Sequence, residues 1–517
     1  MNERIKRLRE QTLTAIPEIS IERGSLLTEF YQSGRSEQVS VPVARALAFK
    51  YLLEHKTICI NPDELIVGER GPAPKATPTY PEICTHSIAD LEILDTRAKI
   101  PFRVSNEVKK TQKHFINPFW RGRAMRDRIM AEVDEDWKNA YAAGVFTEFM
   151  EQRAPGHTVC DDKIYQKGML DFQQDIQDSL DKLDFSNDPR ALDKREELQA
   201  MSIAAEALIY FANRHADLAE QLAVAETDPM RQAELENITK ICRKIPAHKP
   251  ESFYEALQYY WFVHLGVITE LNTWDSFNPG RLDQHLLPFY LQGLEDDSLT
   301  EESARELLQA FWIKFNNQPA PPKVGITAKE SNTYTDFCLI NLGGLTAQGQ
   351  DATNELSYLI LDVIEEMRLL QPSSMVQISK KSPDKLLKRA LRIIKTGYGQ
   401  PSLFNTDAIV AELIRQGKSI QDARSGGASG CVEAGAFGKE AYILTGYFNI
   451  PKVLEITLNN GFDRQTDKQI GPETGKPEDY QNFDDLYSAF ESQLQHFINI
   501  KLKGNLIIER LWAKYLP

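Results

Sequence analysis

The chain has 517 residues and carries 60 Lys+Arg against 74 Asp+Glu, a net charge of −14, which argues against a nucleic-acid partner and against an anionic membrane surface. Its longest apolar stretch, residues 259–268, contains His264 and is too short to cross a bilayer. Six cysteines, at 59, 84, 160, 242, 338 and 431, form no CxxC pair, so neither a zinc knuckle nor a disulfide scaffold is indicated; a cytoplasmic protein of a reducing compartment is the economical reading.

Residues 1–180 mix short helices with irregular pieces, punctuated by Pro62, Pro72, Pro74, Pro78 and Pro81 and by Gly68 and Gly71. Within them, residues 144–160 end in a Pro155-Gly156 turn with His157 directly behind it. Residues 186–247 are rich in Ala, Leu, Glu and Gln and read as helix. Asp228-Pro229 divides that run, one residue capping and the next opening a second helix, which predicts an antiparallel scaffolding pair. From Ser252 onward the pattern predicts a nearly fully buried helix, then a polar and aromatic loop around Asp275. Further on come a helix over 300–315, a proline-rich piece over 316–322 and a strand-like piece ending at 331–338. A helix over 354–370 follows, with Leu356, Leu359, Val363, Met367 and Leu370 in one stripe. Strands at 375–379 and 401–404 alternate with helices at 383–394 and 407–415, and Ser419 opens a relaxed capping box with Asp422. A chain mainly helical up to 250, with helix and strand alternating from 250 to 450, is the signature of a parallel barrel or sheet with helices outside. In such folds polar residues at strand ends carry the chemistry. A last helix over 482–512 presents Leu486, Phe490, Leu494, Phe497 and Ile498, which need a partner to bury them.

Residues 425–433 read Ser-Gly-Gly-Ala-Ser-Gly-Cys-Val-Glu. So much glycine suits neither helix nor ordinary strand and predicts a tight loop held by its surroundings, able to present the Cys431 thiol. If residues 431–433 are extended, Cys431 and Glu433 share a side and Val432 points away into packing. One side then offers a hydrogen-atom or nucleophile site and a proton-transfer site; the alternative is a buried structural cysteine in a glycine turn. His157, Asp275, Asp336 and Glu433 each sit in a loop beside aromatics or glycines. Phe149, Trp274, Phe337 and Tyr447 could exclude water there and raise carboxylate pKa values, which suits general acid–base work. The competing reading makes the four capping or ion-pair residues on separate surfaces. No HExxH and no paired histidine suggests a metal.

Gly430-Cys431-Val432-Glu433 behind its glycine- and serine-rich turn resembles the thiyl-cysteine loop of the glycyl radical enzymes, the pyruvate formate-lyase-like superfamily. Residues 146–160, 281–285, 312–325 and 439–447 resemble its hydroxyproline-dehydratase branch, and the likeness covers essentially the whole chain. Valine at 432 disfavours the branch that carries adjacent cysteines at this turn. The resemblance implies a ten-stranded α/β barrel of two antiparallel half-barrels surrounded by helices, here C-terminally truncated. It implies Cys431 as the thiyl residue, Glu433 as proton-transfer partner, and His157 and Asp275 near the substrate hydroxyl. Ser331, Asp336 and Tyr447 would lie toward the substrate's polar ends, with Phe149 and Phe337 sandwiching its ring. The implied activity is loss of water from trans-4-hydroxy-L-proline to give 1-pyrroline-5-carboxylate. A related dehydratase of a vicinal diol such as propane-1,2-diol or glycerol, and an inactive truncated scaffold, are the alternatives.

The family's Arg-Val-x-Gly-Tyr motif is not found: Gly397-Tyr398 follows Lys395-Thr396 and Gly446-Tyr447 follows Leu444-Thr445. The expectation is one pyruvate formate-lyase-like domain over 1–517, with its thiyl loop at 425–433, without the glycyl radical domain and inactive alone. It would bind no metal or cofactor. The radical would sit on a segment absent from this chain, installed by a radical S-adenosylmethionine/iron–sulfur activating enzyme. The remaining partners implied are a small-molecule substrate and, when complete, a second copy in a homodimer.

Overall fold

A computed structural model describes residues 1–148, 158–271, 277–320, 324, 338–430, 432–440 and 446–516. They fall into two units, the first built from 1–80, 86–118 and 155–443, the second from 81–85, 119–154 and 444–517.

In the first unit, helix α1 (Val41–His55) packs on the long helix α2 (Ala191–Ala225), which turns back as α3 (Pro229–Lys244). Asp228 accepts a hydrogen bond from Met230 N and Pro229 is the first helical residue, as the sequence predicts. Arg243 near the end of α3 reaches Asn213 and Glu220 of α2, so the pair is antiparallel. A row of alanines on α2 (205, 212, 216, 219) is buried and lets these helices approach closely. Helix α4 (Phe253–Glu270), capped by Ser252, is buried on nearly every face. Its Gln258 amide stands in for a strand neighbour, accepting from Val67 N at 2.8 Å and donating to Val67 O at 2.9 Å.

The sheet of this unit has four parallel strands in chain order: β1 (Gly280–Arg281), β2 (Leu339–Gly343), β3 (Ser373–Ile378) and β4 (Ser402–Asn405). Helices α5 (Glu301–Asn316), α6 (Glu355–Met367) and α7 (Asp384–Ile394) lie between them in sequence, and α8 (Thr406–Arg415) follows. This is the βα alternation expected; among the described residues these four strands are the part of the implied ten-stranded barrel that forms one sheet. Side chains alternate along each strand. Ile340, Leu342 and Val376 face the helix layer and share its core with Leu356, Leu359, Val363 and Met367. The other face carries the row Arg281, Asn341, Met375, Ser402 and, two residues on, Gly343, Gln377, Phe404.

Local signals set the helix starts: Thr300 with Ser303 and Asn354 with Ser357 form reciprocal caps. One expectation fails: Leu370 is 54% exposed, because α6 ends at Met367 and Arg368 (φ +44°) turns the chain outward. Residues 325–337 of the expected strand-like piece lie outside the described residues, and β2 begins at Leu339. Behind the helices, Lys314 is buried with Glu64 (2.9 Å) and Glu69 (2.5 Å), and Asn317 and Gln318 donate to Glu69 as well.

In the second unit the dominant element is helix α9 (Phe483–Tyr515), which runs three residues past the predicted end. It packs on helices Met125–Glu132, Glu135–Ala142 and Ile450–Leu458. Gly504 permits this contact: a Cβ there would stand 2.1 Å from Trp137 Nε1. The partner the sequence asked for is therefore supplied within the unit. Phe497 is fully buried and Leu486, Phe490, Leu494 and Ile498 are half-buried, while Phe483, Tyr487, Leu502 and Leu506 are the exposed apolar residues of the helix. Phe146–Glu148 pairs antiparallel with Gly446–Phe448. No helix among the described residues is long and apolar enough to cross a membrane.

Candidate active site

Helix Ile420–Ser425, capped by Ser419 as predicted, leads into an antiparallel hairpin of β5 (Gly427–Ser429) and β6 (Glu433–Gly435). Ser429 pairs with Glu433, and Gly430, in the left-handed region at φ +51°, and Val432 are turn residues between them. Residues 427–429 of the glycine run are strand rather than loop, and Val432 is 67% exposed at a turn instead of packed. Glu433 is half-buried and its Oε2 accepts from Val432 N at 3.0 Å. Cys431, between Gly430 and Val432, lies outside the described residues.

The hairpin rests on the inner face of the sheet. Ala428 packs against Leu339 and Met375, with Phe404 beside them. Three buried polar side chains on successive strands grip the chain that leads to the turn. Arg281 of β1 donates to Arg424 O (2.5 Å), to Leu345 O (2.7 Å) and to Gly343 O. Gln377 of β3 donates to Gly426 O (3.0 Å) and to Asn341 Oδ1 (3.2 Å). Asn341 of β2 donates to Ala428 O (2.8 Å) and accepts from Ala428 N (3.2 Å). Residues 424, 426 and 428 are thus held in alternation, each by a side chain of the sheet. Burial lowers the Arg281 pKa to about 10. Asp283 behind it is pushed up by burial, although Ser357 Oγ (2.5 Å) and Gly343 N (2.8 Å) donate to it.

The other sequence candidates, Phe149, His157, Asp275, Ser331, Asp336 and Phe337, lie outside the described residues; the chain next to several of them does not. Thr158–Val159, following His157, pairs in parallel with Phe277–Asn278, following Asp275. Asn278 Oδ1 accepts from Leu339 N at 2.7 Å, close behind Asp336 and Phe337 in sequence. Val159 packs on Phe437, just past the hairpin, and Lys439 stands 3.8 Å from Asp161. Four chain segments that carry candidates therefore re-enter the described structure side by side around β1, β2 and the hairpin. Cys160, in the same row, is buried with its thiol pKa well raised by desolvation, the reverse of what an activated thiolate needs. Tyr447 belongs to the second unit, where it is 61% exposed and its N donates to Thr147 Oγ1 at 3.2 Å. Among the described residues no group of three or more His, Cys, Asp or Glu is arranged to hold a metal ion.

Asn341 and Gln377 were not singled out from sequence. The signal available was a lone amide inside an otherwise apolar strand, in Leu339-Ile-Asn-Leu342 and Met375-Val-Gln-Ile378. A buried polar group in such a strand must find a partner.

Comparison with known proteins supplies the remaining findings. A profile of the family described as pyruvate formate lyase-like matches residues 1–517. The trans-4-hydroxy-L-proline dehydratase of Clostridioides difficile is 56% identical over 515 residues, covering 100% of this chain and 65% of that protein. The crystal structure of the hydroxyproline dehydratase from Clostridioides difficile, with trans-4-hydroxy-L-proline bound, superposes with a TM-score of 0.96 at 55% identity, over 100% of this chain and 65% of that one. The glycerol-bound B12-independent glycerol dehydratase of Clostridium butyricum superposes with a TM-score of 0.93 at 32% identity, again over 100% and 65%. The chain thus spans just under two thirds of the length of these relatives.

Proposed function

This chain belongs to the pyruvate formate lyase-like family, and on that premise we propose that the whole protein is a glycyl radical dehydratase, a hydro-lyase that converts trans-4-hydroxy-L-proline to 1-pyrroline-5-carboxylate. The observation that carries this reading is 56% identity, along the full length of the chain, to a protein of that activity. Identity to the glycerol dehydratase is 32%, so the diol reading is the weaker one. A protein glycyl radical, on chain outside these 517 residues and installed by an S-adenosylmethionine/iron–sulfur activating enzyme, would supply the unpaired electron. The protein is proposed to be cytoplasmic and, when whole, a homodimer, with all 517 residues in one lyase-like domain.

The product dictates what this chain's residues must do. A hydrogen atom leaves the ring carbon beside nitrogen and the hydroxyl leaves the neighbouring carbon with one proton. A hydrogen atom returns to that second carbon and the N–H proton is lost. The sum is the loss of one water with no net oxidation. Cys431 is the residue proposed to take and return the hydrogen atom. Glu433 moves a proton, and His157 and Asp275 hold the departing hydroxyl and its proton. Ser331, Asp336 and Tyr447 orient the polar ends, and Phe149 and Phe337 exclude water from the ring faces. Groups placed for proton transfer contribute about 10²–10⁴-fold each.

The test is anaerobic incubation of the activated whole protein with trans-4-hydroxy-L-proline, propane-1,2-diol and glycerol in separate reactions. Formation of 1-pyrroline-5-carboxylate in the first alone is expected. Turnover of either diol with none of hydroxyproline would overturn the substrate assignment.

A further inference from the structure

The hairpin that bears Cys431 has no backbone ladder to the sheet beneath it among the described residues. Its seat consists of Asn341, Gln377 and Arg281, three fully buried side chains on β2, β3 and β1. We infer that Asn341, backed by Gln377, is a positioning residue that fixes how far the hairpin tip, and with it the Cys431 thiol, reaches from the sheet. This rests on the proposed role of Cys431 in hydrogen-atom transfer.

The amide of Asn341 grips both polar groups of one backbone unit, Ala428 N and O. Only Ser429 and Gly430 lie between Ala428 and Cys431 in the chain, so a slip of Ala428 moves the tip with it. Gln377 locks the orientation of that amide by donating to Asn341 Oδ1, and its other bond, to Gly426 O, holds the residue two positions earlier. The fit leaves no slack: a Cβ on Gly427 would stand 2.3 Å from Asn341 Oδ1 and 2.4 Å from Gln377 Nε2. Either amide alone would allow the strand to shift or rotate about it. Two amides on adjacent strands, bonded to each other and to alternate residues of the hairpin, define both its height and its register. Hydrogen-atom transfer needs the sulfur in contact with the substrate carbon, and a displacement of about 1 Å costs on the order of 100-fold in rate. Both polar atoms of the Asn341 amide are engaged by Ala428 and Gln377.

The experiment uses the activated whole protein. Asn341→Ala and Gln377→Met are compared with Asn341→Asp, which keeps the acceptor for Ala428 N and Gln377. Four quantities are read: kcat, KM, glycyl radical content by electron paramagnetic resonance, and the kinetic isotope effect with hydroxyproline deuterated at the carbon beside nitrogen. Asn341→Ala is expected to lower kcat roughly 100-fold with KM within threefold and radical content unchanged. Its isotope effect on kcat should rise as hydrogen transfer becomes limiting. Gln377→Met should do the same about tenfold more weakly, and Asn341→Asp should recover part of kcat. If Asn341→Ala does not fold, Gln377→Met carries the test. Wild-type kcat and isotope effect in a folded variant would overturn the inference, as would a loss of turnover matched by an equal loss of radical. A wild-type protein that does not dehydrate hydroxyproline would instead defeat the proposed function, independently of the variants.

Discussion

Gly427 and Asn341 share a space that admits no further atom: a Cβ on the glycine would lie 2.3 Å from Asn341 Oδ1. The backbone of Gly427 is not in the left-handed region, so alanine is excluded there by crowding and not by conformation. Gly427→Ala should therefore destabilise by about 1–3 kcal/mol, the usual range for overpacking a close-packed site. Thermal or denaturant unfolding of the protein without its radical would read this, and unchanged stability would mean that the hairpin seats loosely.

Replacing Cys431 by serine should abolish turnover in the activated whole protein while leaving the glycyl radical signal in place. An O–H bond is much stronger than S–H, so the alcohol cannot relay a hydrogen atom at a useful rate. Electron paramagnetic resonance with a product assay separates the two effects, and dehydration by the serine variant would dismiss the thiyl role.

Glu433 pairs with Ser429 across the hairpin and sits two residues from the thiol. Glu433→Gln should lower kcat by about 10²–10⁴-fold, the usual worth of a placed proton-transfer group, with substrate affinity within about tenfold. A rate near wild type would reduce Glu433 to a partner of the Val432 amide.

Lys314 neutralises two buried carboxylates, Glu64 and Glu69. Lys314→Met strands both, and breaking a buried pair in this way costs about 3–5 kcal/mol. Burial already pushes the Glu69 carboxyl up. Without the lysine the folded variant takes up protons that the unfolded chain would not, so its deficit should shrink as pH falls. Stability of the variant against wild type at pH 7 and pH 5 measures this; a deficit independent of pH would place the cost in packing.

His215 is buried and His285 half-buried, and desolvation lowers their pKa values to about 3 and about 4. Both rings are neutral in the folded protein, whereas the unfolded chain takes up a proton on each near pH 6.5. Their contribution to stability is complete above pH 6.5 and falls as pH drops from there toward 4, by about 1.4 kcal/mol per pH unit per ring. Denaturant unfolding between pH 7.5 and 5 should show that slope, reduced by one proton in His215→Gln; an unchanged slope would mean that His215 does not stay neutral on folding.

Features encoded locally could be read from sequence. Asp228 and Ser419 cap the helices they precede, as their sequence context indicated, and the helices expected from 252, 300 and 354 begin there, each signal lying within four residues of its partner. The strands at 373–378 and 402–405 were found within two residues for the same reason: apolar runs bounded by breakers. The seat of the hairpin could not be read this way, because Asn341 is 87 residues from Ala428 and Gln377 is 49 from Gly426. Their partners are set by sheet register, which no short window contains. Val432 misled because a valine in a presumed extended piece suggests core, whereas the pairing of Ser429 with Glu433 puts it on the turn. The substrate face could be assigned only through the family resemblance, since the residues concerned are scattered from 149 to 447.

Because the grip on residues 424, 426 and 428 comes from side chains on three separate strands, the turn that carries Cys431 is not a portable module. Grafting residues 426–435 onto another scaffold would carry the thiol but leave behind the amides at 341 and 377 and the guanidinium at 281 that set its height. A chimera between relatives should keep activity only when those three positions travel with the turn or already match, and a crossover between 281 and 426 that separates them should yield a folded protein with a misaligned sulfur.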